Sequence, residues 1–192
     1  MRDSFHATQG NCDAMFEIKP WDAADYRQQT RRSTLILAVV FLALAMLLSS
    51  LAVMAFGTPG GDNFRFNVGG VFAAVLVMAG LMRGYFWSQP WMSAAVYGWQ
   101  LKRSLMSITN VMHQVKAGAQ ARDPAAMKLL RFYHLGLAQM HLLDANSSDH
   151  ASLVREADEH LEKLQAQGLD PDQSRLDPAW IDTVKQAYNA RP

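Results

Sequence analysis

The sequence is short of most of what chemistry needs. Its 192 residues include one cysteine, Cys12, which excludes an internal disulfide and any zinc site built from several thiolates. Neither sign of charge predominates: 18 basic and 17 acidic side chains leave a net charge of +1. Nucleic acid demands a strongly positive face, so no nucleic-acid partner is expected. Runs of alternating β-branched residues are missing after residue 88, which speaks against a sheet there. No H-E-x-x-H, G-x-S-x-G, P-loop or G-x-G-x-x-G spacing occurs, and no Glu-x-x-His of the di-iron kind. Gly60-Gly61 and Gly69-Gly70 lack the strand–loop–helix setting of a phosphate cradle. Catalytic, cofactor-binding and metal-ligating sets are all incomplete, so the chain is not expected to be an enzyme by itself, nor to carry a cofactor.

What it does have is hydrophobic length. Residues 35–87 carry only three charged side chains, Asp62, Arg65 and Arg83. Leu35 to Phe56 is 22 residues without charge or proline, with Ser49 and Ser50 its only polar members. As a helix it is about 33 Å long, enough to cross a bilayer's hydrocarbon core. A buried helix of a soluble protein would show a polar stripe, and a signal peptide's apolar core would be shorter. Gly57 to Asn63 is dense in turn formers. A second run, Val68 to Met82, reaches Trp87 if Arg83 snorkels its guanidinium to the headgroups. Two spans, about 35–56 and 68–87, are therefore predicted. Arg27, Arg31 and Arg32 precede the first, and Arg83, Lys102 and Arg103 accompany or follow the second. The loop has only Arg65, offset by Asp62, which predicts both termini in the cytoplasm and a multi-pass protein of a bacterial inner membrane. Neither span has a carboxylate or histidine at mid-membrane, so no proton relay is expected from this chain alone.

Residues 1–15 read as a disordered tail or an extension upstream of Met15, and 16–34 as a juxtamembrane segment. Asp22 is placed to cap a short helix closing at Arg31 and Arg32. From 88 to 192 the pattern is helical throughout. Leu101, Leu105, Ile108, Met112 and Val115 form one stripe, running toward Gly118. Asp123-Pro124 opens a helix to Asp144 that is apolar on most sides, including Leu130 and Leu137, and is the expected central member. Asn146-Ser147-Ser148 breaks it. A third helix, about 149–167, stops at Gly168 and carries a Glu159–Lys163 pair; a last one follows Asp177-Pro178. The fold class is all-α: a two-helix transmembrane hairpin followed by a cytoplasmic three- or four-helix bundle.

His134 and His141 share a helix face but stand two turns apart, about 10.5 Å of rise, too far for both to bind one ion. Glu156 and His160 are half of a metal-like spacing, without the other half. The histidines are accordingly expected not to form a metal site. The aromatic run Tyr85, Phe86, Trp87, Trp91, Tyr97 and Trp99 is a candidate interface belt or docking surface. Gly80 and Gly84, one turn apart, are candidate helix-packing residues. Two function classes remain: a membrane-anchored interaction or scaffold module, and an oligomeric assembly such as a small channel or transport accessory. The bilayer is the partner expected in both, with an unidentified protein in the first and further copies of the chain in the second.

The stretches KPWDAADYRQQTRRSTL (19–35), FWSQPWMSAAVYGWQLKRSL (86–105) and MKLLRFYHLGLAQMH (127–141) are similar to a proteobacterial inner-membrane protein family catalogued only as a domain of unknown function. The resemblance covers about Met15 to Tyr188. It implies two membrane helices near the N-terminus and no assigned activity, so it assigns no functional residues.

Overall fold

Asp22 opens the first helix as its position predicts. Its Oδ1 accepts from the Ala24 and Asp25 amides at 2.8 and 2.9 Å, and α1 then runs unbroken over Ala23–Phe56. No glycine or proline interrupts those 34 residues, so the expected short juxtamembrane helix continues directly into the apolar run. In this computed structural model, which describes residues 15–145 and 150–188, α1 is about 51 Å long. Residues 1–14 of the predicted tail and the break at 146–148 lie outside the described residues, as do His6 and Cys12.

Asn63 closes the turn after α1, accepting from the Thr58 amide at 3.0 Å and donating to the Thr58 carbonyl at 3.2 Å. The second helix, α2, covers Phe64–Gly84, starting four residues before the predicted Val68. Asp62 Oδ1 accepts from the Phe64 amide at 2.9 Å and so stabilises the earlier start. Two single 3₁₀ turns, Phe86–Ser88 and Pro90–Met92, follow. Gln89 between them is extended, as a residue before proline prefers. The two long helices come close at Gly70, where any Cβ would enter the Ser49 backbone. Ser49 Oγ also donates to the Asn67 carbonyl at 3.0 Å. Little of the rest of their apolar surface is fully covered: only 6% of the most apolar stretch of α1 and 11% of that of α2 is buried.

Trp21–Trp99 makes one compact unit, and the described residues up to Pro20 and from Gln100 make another, the division falling inside α3 (Ser93–Thr109). The helix expected to run on through Val115 stops at Thr109. Val111 leaves helical geometry (φ −119°, ψ 17°) and its amide bonds Ile108 three residues back, and α4 restarts over Met112–Gln120. α5 spans Pro124–Asp144, with Asp123 capping the Ala125 and Ala126 amides. Seven of its residues are buried, Phe132, Leu129 and Ala126 completely. The core is therefore this face, where Leu101, Leu105 and Ile108 of α3, Val115 of α4 and Val184 of α7 are also buried. Leu130 and Leu137, read from the sequence as core positions, are only half-buried; Leu130 borders a groove instead of packed side chains.

α6 (His150–Ala166) ends where Gly168 turns left-handed (φ 69°) and the Leu169 amide returns to the Leu164 carbonyl at 3.2 Å. Glu159 pairs with Arg155, 3.8 Å away, rather than with Lys163. α7 covers Pro178–Tyr188. The sequence pattern did not anticipate the one strand pair among the described residues: β1 (Phe16–Glu17) lies antiparallel to β2 (Arg175–Leu176). Phe16 meets Phe132 edge-on at 6.4 Å, and Glu17 pairs with Arg175 at 3.1 Å. Residues 16 and 17, expected beside the membrane, thus belong to the α4–α7 unit.

Candidate functional site

The aromatic run is wound tight by its two 3₁₀ turns. Phe86 lies 5.5 Å from Trp91, and Trp87 meets Trp99 edge-on at 5.0 Å. Ser33 Oγ, fully buried, stands 2.6 Å from the Trp91 carbonyl and 2.8 Å from that of Gln29, tying the turn to α1. Tyr85, Trp87 and Trp99 are exposed, and Phe86 and Trp91 half-buried. Tyr97 is buried against Trp21, centroids 5.7 Å apart, and presents nothing for docking. Gly98 is needed beside it, since a Cβ there would meet the Tyr26 hydroxyl. Gly80 and Gly84 face open space: a Cβ at either would touch nothing within 4 Å. The contact between α1 and α2 uses Gly70 instead.

Histidines form a second constellation. The sequence places His134 with His141 on one helix and leaves His113 or His160 as residues that could complete a site; the tertiary structure sets His134 of α5 against His160 of α6, ring centroids 5.5 Å apart and edge-on. Both are only 6% exposed. The available signal was that each sits on its helix's apolar stripe, His134 seven residues after Met127 and His160 four before Leu164. His113 and His141 lie elsewhere.

His160 Nε2 stands 2.9 Å from the Met127 carbonyl. A carbonyl only accepts, so Nε2 carries the proton and donates it, leaving the lone pair of the neutral ring on Nδ1. Burial pushes the His134 imidazole down from 6.5 to about 4, helped by His160, Arg131 and Lys116. Burial also lowers His160, opposed by the Met127 bond and aided by Arg131 and Lys163. Both rings are therefore neutral at neutral pH. His134 Nδ1 is buried without a hydrogen-bond partner.

The pair lines a groove of about 640 Å³. Its floor is the Met127–Leu130–His134 face of α5, and its walls are one face of α4, with Lys116, Ala119 and Gln120, and one of α6, with Glu156, Glu159, His160 and Lys163. Arg122, in the α4–α5 turn, also lines it. No three of the described histidines, cysteines, aspartates and glutamates converge where they could share an ion.

No curated protein and no solved structure matches the chain. The family described as "Protein of unknown function (DUF3087)" matches residues 16–181, a span from β1 into α7 that takes in the long apolar helices, the aromatic turns and the histidine groove. The chain belongs to that family.

Proposed function

We propose that the protein is a membrane-anchored interaction module: α1 and α2 form a transmembrane hairpin, and α3–α7 a cytoplasmic helical bundle that presents its surface to another molecule. The observation that carries this reading is the bare apolar surface of the two long helices. Leu42 is 60% exposed, Met46 72% and Met54 79% on α1, as are Phe72 (65%) and Leu76 (60%) on α2. Such a surface in water would cost about 25 cal/mol per Å², and hydrocarbon removes that cost. A soluble core helix of the same composition would be mostly buried. Tyr85, Trp87 and Trp99 then sit where one interface belt falls, and the arginines flanking the two spans support cytoplasmic termini in an inner membrane. No complete catalytic set supports an enzymatic role.

Reporters fused after Phe56, Asn67 and Pro192 test this topology: periplasmic activity is expected from the first two and cytoplasmic from the third. Periplasmic activity at Pro192 would sink the hairpin. A second reading, an oligomeric assembly, rests on the open space over Gly80 and Gly84, which leaves a small-residue seam for another helix. Photo-crosslinking from Trp91 and Trp99 in cells separates the two. A discrete adduct with another protein supports the module, and a ladder of self-adducts supports the assembly.

A further inference from the structure

We propose that the groove between α4 and α6 is a binding site for a small organic phosphate monoester. The first ground is charge that the fold leaves unanswered. Lys116, Arg122 and Lys163 line the groove from two helices and a turn, and none of them makes an ion pair among the described residues. Of the two carboxylates on the α6 wall, Glu159 is already matched by Arg155 at 3.8 Å, so the balance at the groove is positive. A doubly charged phosphate met by one guanidinium fork and two ammonium point charges is the anion that such a set suits best.

The second ground is the geometry at Arg122. α4 ends with the Asp123 amide bonded to the Gly118 carbonyl at 2.9 Å and the Arg122 amide to that of Ala119 at 3.2 Å. That closure puts Arg122 in the left-handed region, φ 62°, a place that glycine normally takes because a Cβ is disfavoured there. The turn alone would be better served by glycine, yet the residue present is an arginine, and it lines the groove. Third, two nearly buried imidazoles, His134 and His160, line the same groove as these cations. Space beyond a phosphate remains over Met127 and Leu130, with Gln120 and Gln167 to hydrogen-bond an organic body.

Phosphate monoesters exist both as soluble metabolites and as lipid headgroups, and one experiment separates these sources. The full chain, in phosphatidylcholine nanodiscs, is titrated with glycerol 3-phosphate, or the discs are made with phosphatidic acid. The imidazole NMR signals of His134 and His160 are followed. Saturable shifts with the soluble ester, or shifts confined to the phosphatidic acid discs, both support the site and assign its source. Affinity is expected to fall about tenfold or more in Arg122→Gly, while that variant melts no lower than the parent. Lys163→Gln on exposed α6 repeats the loss without altering a turn, and Lys102→Gln, outside the groove, leaves affinity unchanged. No saturable response to either probe, or a response undiminished in both groove variants, would overturn the proposal.

Discussion

Phe132 and Leu130 stand two positions apart on α5 and have opposite surroundings. Phe132 is wholly buried against the core, while Leu130 lines an open groove. Phe132→Ala is therefore expected to destabilise the full chain by about 3–5 kcal/mol, because the cavity cannot collapse between packed helices. Leu130→Ala should cost well under half of that, and chemical denaturation in detergent measures both. His134 makes a pH prediction. Above its unfolded pKa of 6.5 the ring is neutral in both states and burial carries no penalty. As pH falls from 6.5 toward about 4, the unfolded chain takes up its proton first, so stability declines by up to about 3 kcal/mol. His160, with its own lowered value, adds to the same acid limb, and Arg131, Lys116 and Lys163 are the cations that steepen it. Melting temperature against pH should fall over that window, less steeply in His134→Gln.

At the scale of elements, close approach is decided by single small residues. Gly70 lies where α1 and α2 come together, whereas Gly80 on the same helix faces nothing. Gly70→Val is expected to cost about 1–3 kcal/mol by overpacking, and Gly80→Val close to nothing within one chain. Thermal melts of the detergent-solubilised protein distinguish them, and equal losses would mean that the helices meet elsewhere. Helix starts are equally local. Removing the α5 cap with Asp123→Ala should cost about 1 kcal/mol, since two amides lose their acceptor.

For the molecule as a whole, the proposed hairpin would place the apolar helices in hydrocarbon and leave the α4–α7 unit in water. The chain is expected to stay with the membrane fraction through high-salt and carbonate washes and to leave it only in detergent. Release by carbonate alone would mean that the apolar faces of α1 and α2 are covered by protein instead. The family match, from β1 into α7, spans both kinds of surface, so the combination belongs to the family and not to a chance fusion.

The sequence by itself determined the elements whose cause is local. Asp22 and Asp123 capped where they were expected to, the cluster from Gly57 to Asn63 ended α1, and α5 has the predicted bounds. An all-α class followed from hydrophobic period and the want of alternating β-branched runs. Tertiary structure decided what depends on residues far apart in the chain. It joined Phe16 to Leu176 in a strand pair, left Leu130 and Leu137 half-buried, and buried Tyr97 against Trp21. It also brought His134 to His160, a choice among His141, His113 and His160 that spacing along one helix could not make. The physical reason is the same in each case. Caps and turns are set by hydrogen bonds within a few residues, but which stripe of a helix meets which neighbour is set by how all the helices pack together.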